Sequence, residues 1–88
     1  MQVSSTHTKN PASGWDVSAT AKADSGEKIS RVQIIVNGAT GYDRSFDPAI
    51  SNWQETLTEQ GVYPGDNRVQ VIATDDKSDD TESDDSWS

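Results

Sequence analysis

Three observations predict a small all-β fold, a sandwich or barrel of about seven short antiparallel strands. The run Ile29-Ser30-Arg31-Val32-Gln33-Ile34-Ile35-Val36 places apolar residues at alternate positions and stops at Asn37-Gly38. A near copy, Arg68-Val69-Gln70-Val71-Ile72-Ala73, follows the strongest turn signal of the chain, Tyr63-Pro64-Gly65-Asp66-Asn67. Turn residues recur at intervals of roughly 8–12 residues, the spacing of sandwiches and barrels. In both runs the period is that of a half-buried strand, which puts Val32, Ile34 and Val36 on one side and Val69, Val71 and Ala73 on one side. The two are expected to pair as central strands.

The other elements follow in order. Residues 1–14 are rich in Ser, Thr and Asn, and Asn10-Pro11 favours extended or turning backbone; a short edge strand is expected near Val3–Thr8. Trp15, Val17, Ala19, Ala21 and Ala23 alternate with Asp16, Ser18, Thr20 and Lys22, a second strand whose small inward residues leave room for larger ones opposite. Asp24-Ser25-Gly26-Glu27 reads as a turn, and Asn37-Gly38 as a hairpin turn with positive φ at both central positions. Tyr42, Arg44 and Phe46 make a weaker strand that Asp47-Pro48 is expected to close. Trp53, Glu55 and Leu57 share one side of the next, where Glu55 belongs either at the periphery or in a helical turn. At Tyr63–Asn67, Pro64 pre-sets φ and Gly65 suits the positive φ of a type II turn. Thr81, Ser83, Asp85 and Trp87 lie on one side of a last edge strand whose register the sequence specifies weakly.

With 88 residues there is room for one domain and one modest core. Leu, Ile, Val and Phe number 14, few enough to suggest disorder in a highly charged chain, but 13 of them fall within residues 15–74, where the alternation is clear. The reading is a folded centre, about 15–75, with polar ends. Net charge is −8, and seven of the fifteen acids lie in the last fourteen residues beside one lysine. That balance argues against nucleic acid and anionic membranes as partners. Cysteine is absent, which removes disulfides and thiolate metal sites. No stretch approaches transmembrane length, so membrane insertion is not expected, and Met1-Gln2-Val3-Ser4-Ser5 lacks the features of a signal peptide; any export signal is expected outside this sequence.

Catalysis has little to draw on. His7 is the one histidine, with no spaced partner, and no thiol nucleophile exists; an enzyme is not expected. Calcium is the stronger chemical candidate. Asp75, Asp76, Asp79, Asp80 and Glu82 supply hard oxygens, with Asp76, Ser78, Asp80 and Glu82 at alternate positions as at the start of a calcium loop. Thr81 stands where that loop needs glycine, and the twelfth residue from Asp76 is Trp87 where a bidentate glutamate is needed. A solvated acidic edge that resists sheet-to-sheet pairing accounts for the same residues. Among the aromatics, Trp15 and Trp53 are expected in the core, whereas Trp87 is expected to be exposed and, with Tyr42, is the candidate for stacking on a glycan. Ile35 and Ile72 point outward on one face if the central strands pair, as strand formers or as a surface for a partner protein.

Val17-Ser18-Ala19-Thr20-Ala21, then Ile29-x-x-Val32-x-Ile34-x-Val36-Asn37-Gly38, then Trp53, then Pro64-Gly65-x-Asn67-x-Val69-x-Val71-x-Ala73-Thr74-Asp75 succeed one another in an order that resembles the bacterial immunoglobulin-like domains found in tandem on secreted and surface proteins. The resemblance spans about Trp15 to Asp75. The sequence departs from that pattern at Lys77-Ser78-Asp79, where Gly-Asn is usual, and in the acidity of its last strand. The resemblance implies a single immunoglobulin-like β-sandwich across residues 1–88. It also implies a non-catalytic spacer or presentation module of a larger secreted, surface or phage protein, with neighbouring domains as partners. The alternative it carries is an adhesion module binding carbohydrate or a surface protein, stabilised by calcium.

Overall fold

Two antiparallel sheets face each other in the computed structural model, which describes residues 1–61 and 63–88. The first holds β1 (Gln2–Lys9), β2 (Trp15–Lys22) and β5 (Asn52–Gln60) in the order β1-β2-β5. The second holds β3 (Ile29–Val36), β4 (Ala39–Ile50), β6 (Asn67–Asp75) and β7 (Asp80–Trp87) in the order β4-β3-β6-β7. Sequence-distant strands, β2 with β5 and β3 with β6, are the central pairings of an immunoglobulin-like β-sandwich. There is no helix among the described residues.

The core forms where the predicted alternation puts it. Val32 lies opposite Ala73, Ile34 opposite Val71 and Val36 opposite Val69, and all six are buried. Across the sandwich they meet Val17, Ala19 and Ala21 of β2 and Trp53 of β5, which is 8% exposed. The alanines admit that indole. Ile34 is fully buried, and removing its side chain from water is worth about 2–3 kcal/mol. Ile35 and Ile72, half-buried, sit on the outer face of the same two strands, Ile35 opposite Gln70 and Ile72 opposite Gln33.

The edge strands expected at the two polar ends both form: β1 pairs along its whole length with β2, and β7 with β6, in unbroken register from Asn67↔Trp87 to Thr74↔Asp80. Two expectations need correction. β4 does not close at Asp47-Pro48 but runs through it to Ile50. It lies at a sheet edge, where a residue without an N–H costs no ladder bond. Gly65 has no positive φ, so the type II turn is not made. The bend there is organised instead by Asn67, whose Nδ2 donates to the carbonyls of Tyr63 and Gly65 at 3.3 and 3.1 Å. By contrast Asn37 and Gly38 take φ of 50° and 81°, as their hairpin turn requires.

Three of the four edge strands carry a feature that discourages pairing with another sheet. β7 is lined with carboxylates, β4 contains Pro48, and β5 points Glu55 inward, half-buried opposite Ala19.

The chain measures 42 × 19 × 18 Å. Eight-residue strands span about 26 Å and therefore run along the long axis. Gln2 lies opposite Lys22, which places Met1 and the Asp24–Glu27 turn at one pole. Trp87, opposite Asn67, lies at the other.

Truncating Ile34→Ala is expected to lower stability by about 3 kcal/mol, while Ile35→Ala, one residue along but on the outer face, costs about 1 kcal/mol. Urea denaturation of both variants measures the difference, and equal losses would contradict the inward and outward assignment.

Candidate functional site

The residues that the sequence singles out fall in three separate places. Asp75 ends β6 on its inward side and is 7% exposed. Its Oδ1 accepts the backbone N–H groups of Lys77 and Asp79 at 2.8 and 2.9 Å, and its own N–H donates to the Asp79 carbonyl at 2.9 Å. Ser78, with φ of 67°, completes the reversal. Asp75 is thus the organiser of the β6–β7 hairpin. The Asp79 N–H, followed by that of Lys77, holds its carboxyl below the usual carboxylate range against the opposing effect of burial.

The other acids are directed elsewhere. Asp76 Oδ1 accepts from the Lys28 N–H at 3.3 Å. On the outer face of β7, Asp80 accepts from Thr74 Oγ1 at 2.6 Å and Glu82 from Gln70 Nε2 at 2.8 Å. Asp79 is exposed and contributes its backbone to the turn. Among the described residues no three His, Asp or Glu side chains converge as a metal site would need.

Trp87 is not the exposed ring the sequence suggests. It is half-buried, stacked on His7 with centroids 4.1 Å apart and planes 8° from parallel, and meets Trp15 edge-on at 5.6 Å. The reason is the position of β1, whose inward residues Val3, Ser5 and His7 reach across to those of β7. His7 Nδ1 donates to Asp85 Oδ2 at 2.6 Å, with both side chains 29% exposed. Lys9 sits 5.2 Å from the Trp15 ring centroid. Ser5 Oγ, Ser83 Oγ and Trp87 Nε1 are buried without a hydrogen-bond partner among the described residues, and all three belong to these two strands. The seam between β1 and β7 is therefore polar.

Tyr42 lies on the opposite side of the sandwich, between β4 and β5. Trp53 Nε1 donates to its hydroxyl at 3.1 Å, and the two rings stand 5.5 Å apart. Phe46 and Leu57 also pack there, and Leu57 comes close enough to Gly41 that a Cβ on it would lie 3.2 Å from Leu57 Cδ1. Tyr42 and Trp87 consequently share no surface.

Ile35 and Ile72 do share one. They are diagonal neighbours on the outer face of the four-stranded sheet, between two ion pairs. Arg31 donates to both carboxylate oxygens of Asp43, from Nε at 3.0 Å and Nη2 at 2.8 Å, and Arg68 Nε donates to Asp84 at 3.0 Å. The guanidinium groups hold the Asp43 and Asp84 carboxyls below the usual range. Both isoleucines are half-buried there.

Two sets of residues escape sequence reading. His7 and Asp85 are 78 positions apart, and the available signal was phase, since His7 lies in step with Val3, and Asp85 with Trp87. The second set is Asn37 with Asn67, whose side chains bond at 3.0 Å; nothing local in the sequence connects them. No protein-family model matches the chain, and no curated protein is detectably similar to it.

Asp75→Ala is expected to lower the melting temperature by about 5 °C or more, whereas Asp80→Ala leaves it nearly unchanged. A shared calcium would make both variants equally sensitive to the ion, so calorimetry of each with and without calcium decides between a turn and a site. Because the Asp75 carboxyl titrates lower in the fold than in the unfolded chain, its contribution is complete above about pH 4 and is lost as pH falls through the folded value. The acid limb of a stability-against-pH curve should accordingly flatten in Asp75→Ala. Trp87→Ala removes the stacking on His7 and is expected to cost about 2 kcal/mol, measured by urea denaturation.

Proposed function

We propose that this chain is a non-catalytic immunoglobulin-like module that spaces or presents neighbouring domains of a larger secreted, surface or phage protein. The observation that carries this reading is the placement of its ends. Met1 and Trp87 lie at opposite poles of a body 42 Å long and less than half as wide. Domains attached at the two ends are held apart by the full length of the sandwich. Guarded edges support the same reading, since modules in series must stack end to end without their sheets merging. The residues that could do chemistry are engaged in structure: His7 in the β1–β7 seam and Asp75 in a turn.

A second reading, docking of a partner protein, draws support from the adjacency of Ile35 and Ile72 between the two arginine–carboxylate pairs. Glycan binding through Trp87 and Tyr42 has less support, because the two rings lie on opposite sides of the sandwich.

Two copies joined in tandem by a short linker should scatter X-rays as a rod roughly twice the 42 Å of one copy. A compact side-by-side pair, or saturable binding of the single module to a polysaccharide or a protein, would replace the spacer reading with a binding one.

A further inference from the structure

Asn37 is the one asparagine of four that precedes a glycine. A following residue without a Cβ leaves the backbone nitrogen least hindered in its approach to the asparagine side-chain amide. In the fold, β6 holds Asn37 at three points. Its N–H donates to the Arg68 carbonyl at 2.8 Å, its Oδ1 accepts the Arg68 N–H at 2.8 Å, and its Nδ2 donates to Asn67 Oδ1 at 3.0 Å. Asn67 is 2% exposed, and its own Nδ2 is occupied by the carbonyls of Tyr63 and Gly65. The amide that would have to swing toward Gly38 is thus held away from it by a buried partner.

We infer that Asn37 is a conditional modification site, inert while clamped to β6 and converted irreversibly to aspartate or isoaspartate when that clamp opens. In the reaction the Gly38 nitrogen bonds to Cγ of Asn37 and gives up its proton. The bond between Cγ and Nδ2 breaks, and Nδ2 leaves as ammonia. Solvent water then opens the resulting succinimide at either carbonyl, and nothing is oxidised or reduced.

The product cannot restore the clamp. A carboxylate at position 37 sets an acceptor against Asn67 Oδ1, and turning the Asn67 amide around would set that oxygen against two backbone carbonyls. Isoaspartate further lengthens the main chain inside a two-residue turn that needs positive φ at both positions. A single opening followed by reaction therefore leaves the Asn37–Asn67 pole of the module permanently loosened.

The 88-residue protein is incubated in mildly alkaline buffer, folded or unfolded in urea, and each asparagine is followed by mass-spectrometric peptide mapping with identification of isoaspartate. Asn37 is expected to convert at least about tenfold more slowly in the fold than in the unfolded protein, and its folded-state rate should rise with sub-denaturing urea as the pole opens locally. The purified converted protein should melt at a lower temperature than the parent. Asn67→Ser, which shortens the partner, should raise the rate at Asn37 and leave Asn10 and Asn52 unchanged. Equal rates in folded and unfolded protein, or a folded-state rate indifferent to sub-denaturing urea, would overturn the assignment. So would conversion of Asn10 or Asn52 ahead of Asn37 in the unfolded protein.

Discussion

The antiparallel pairing of β3 with β6 is the constraint on which the other contacts depend. It sets Ile34 against Val71 at the centre of the sheet and brings three inward residues from each strand into one buried layer. Because side chains alternate along a strand, a slip of one residue would expose that layer and bury Arg31, Gln33, Arg68 and Gln70. The same register aims Arg31 at Asp43 of β4 and Arg68 at Asp84 of β7, so the outer face has an ion pair on each flank. These exposed pairs add little stability by themselves. They do oppose the alternative register, in which the charges would have to enter the core.

The two open sides of the sandwich are closed by different chemistry. Between β4 and β5 the closure is apolar and aromatic, with Tyr42, Phe46, Trp53 and Leu57 packed together and one hydrogen bond from indole to phenol. Between β1 and β7 it is polar, built from His7, Asp85 and two tryptophans, with the Ser5 and Ser83 hydroxyls beside them lacking a partner among the described residues. The backbone ladder from β1 to β2 is nevertheless complete along its length.

Sequence reading recovered the fold class, the order of the strands and the inward residues of β2, β3 and β6, because each of those runs alternates apolar with polar residues and ends in turn residues. It placed Ile35 and Ile72 on one outer face for the same reason. It gave β1 and β7 only as weakly specified edge strands, because most of their inward positions are held by polar residues, among them Ser5, His7, Ser83 and Asp85. It misjudged Trp87 because exposure at a polar end is set by what lies across the gap, here His7 on a strand from the far end of the sequence. In the acidic segment it recognised the oxygens and not their direction. Once β7 forms, Asp80 and Glu82 point outward, while Asp75 turns inward to two backbone N–H groups.

That division of the acids distributes charge over the molecule. Asp80, Glu82 and Asp84 lie along the outer flank of β7, while Asp76 and Asp79 lie in the turn at one pole. One pole is organised by the Asn37–Asn67 network, and the other by the hairpin turn that Asp75 holds. A neighbouring copy that approaches sideways along β7 meets like charge along the length of an edge strand, a repulsion that acts within about 10 Å at moderate salt. One that approaches end-on does not meet that row. A row of like charge along this edge strand therefore disfavours sideways pairing through β7. Of the two readings the sequence allows for this segment, a calcium loop or a solvated acidic edge, the outward direction of Asp80 and Glu82 supports the second.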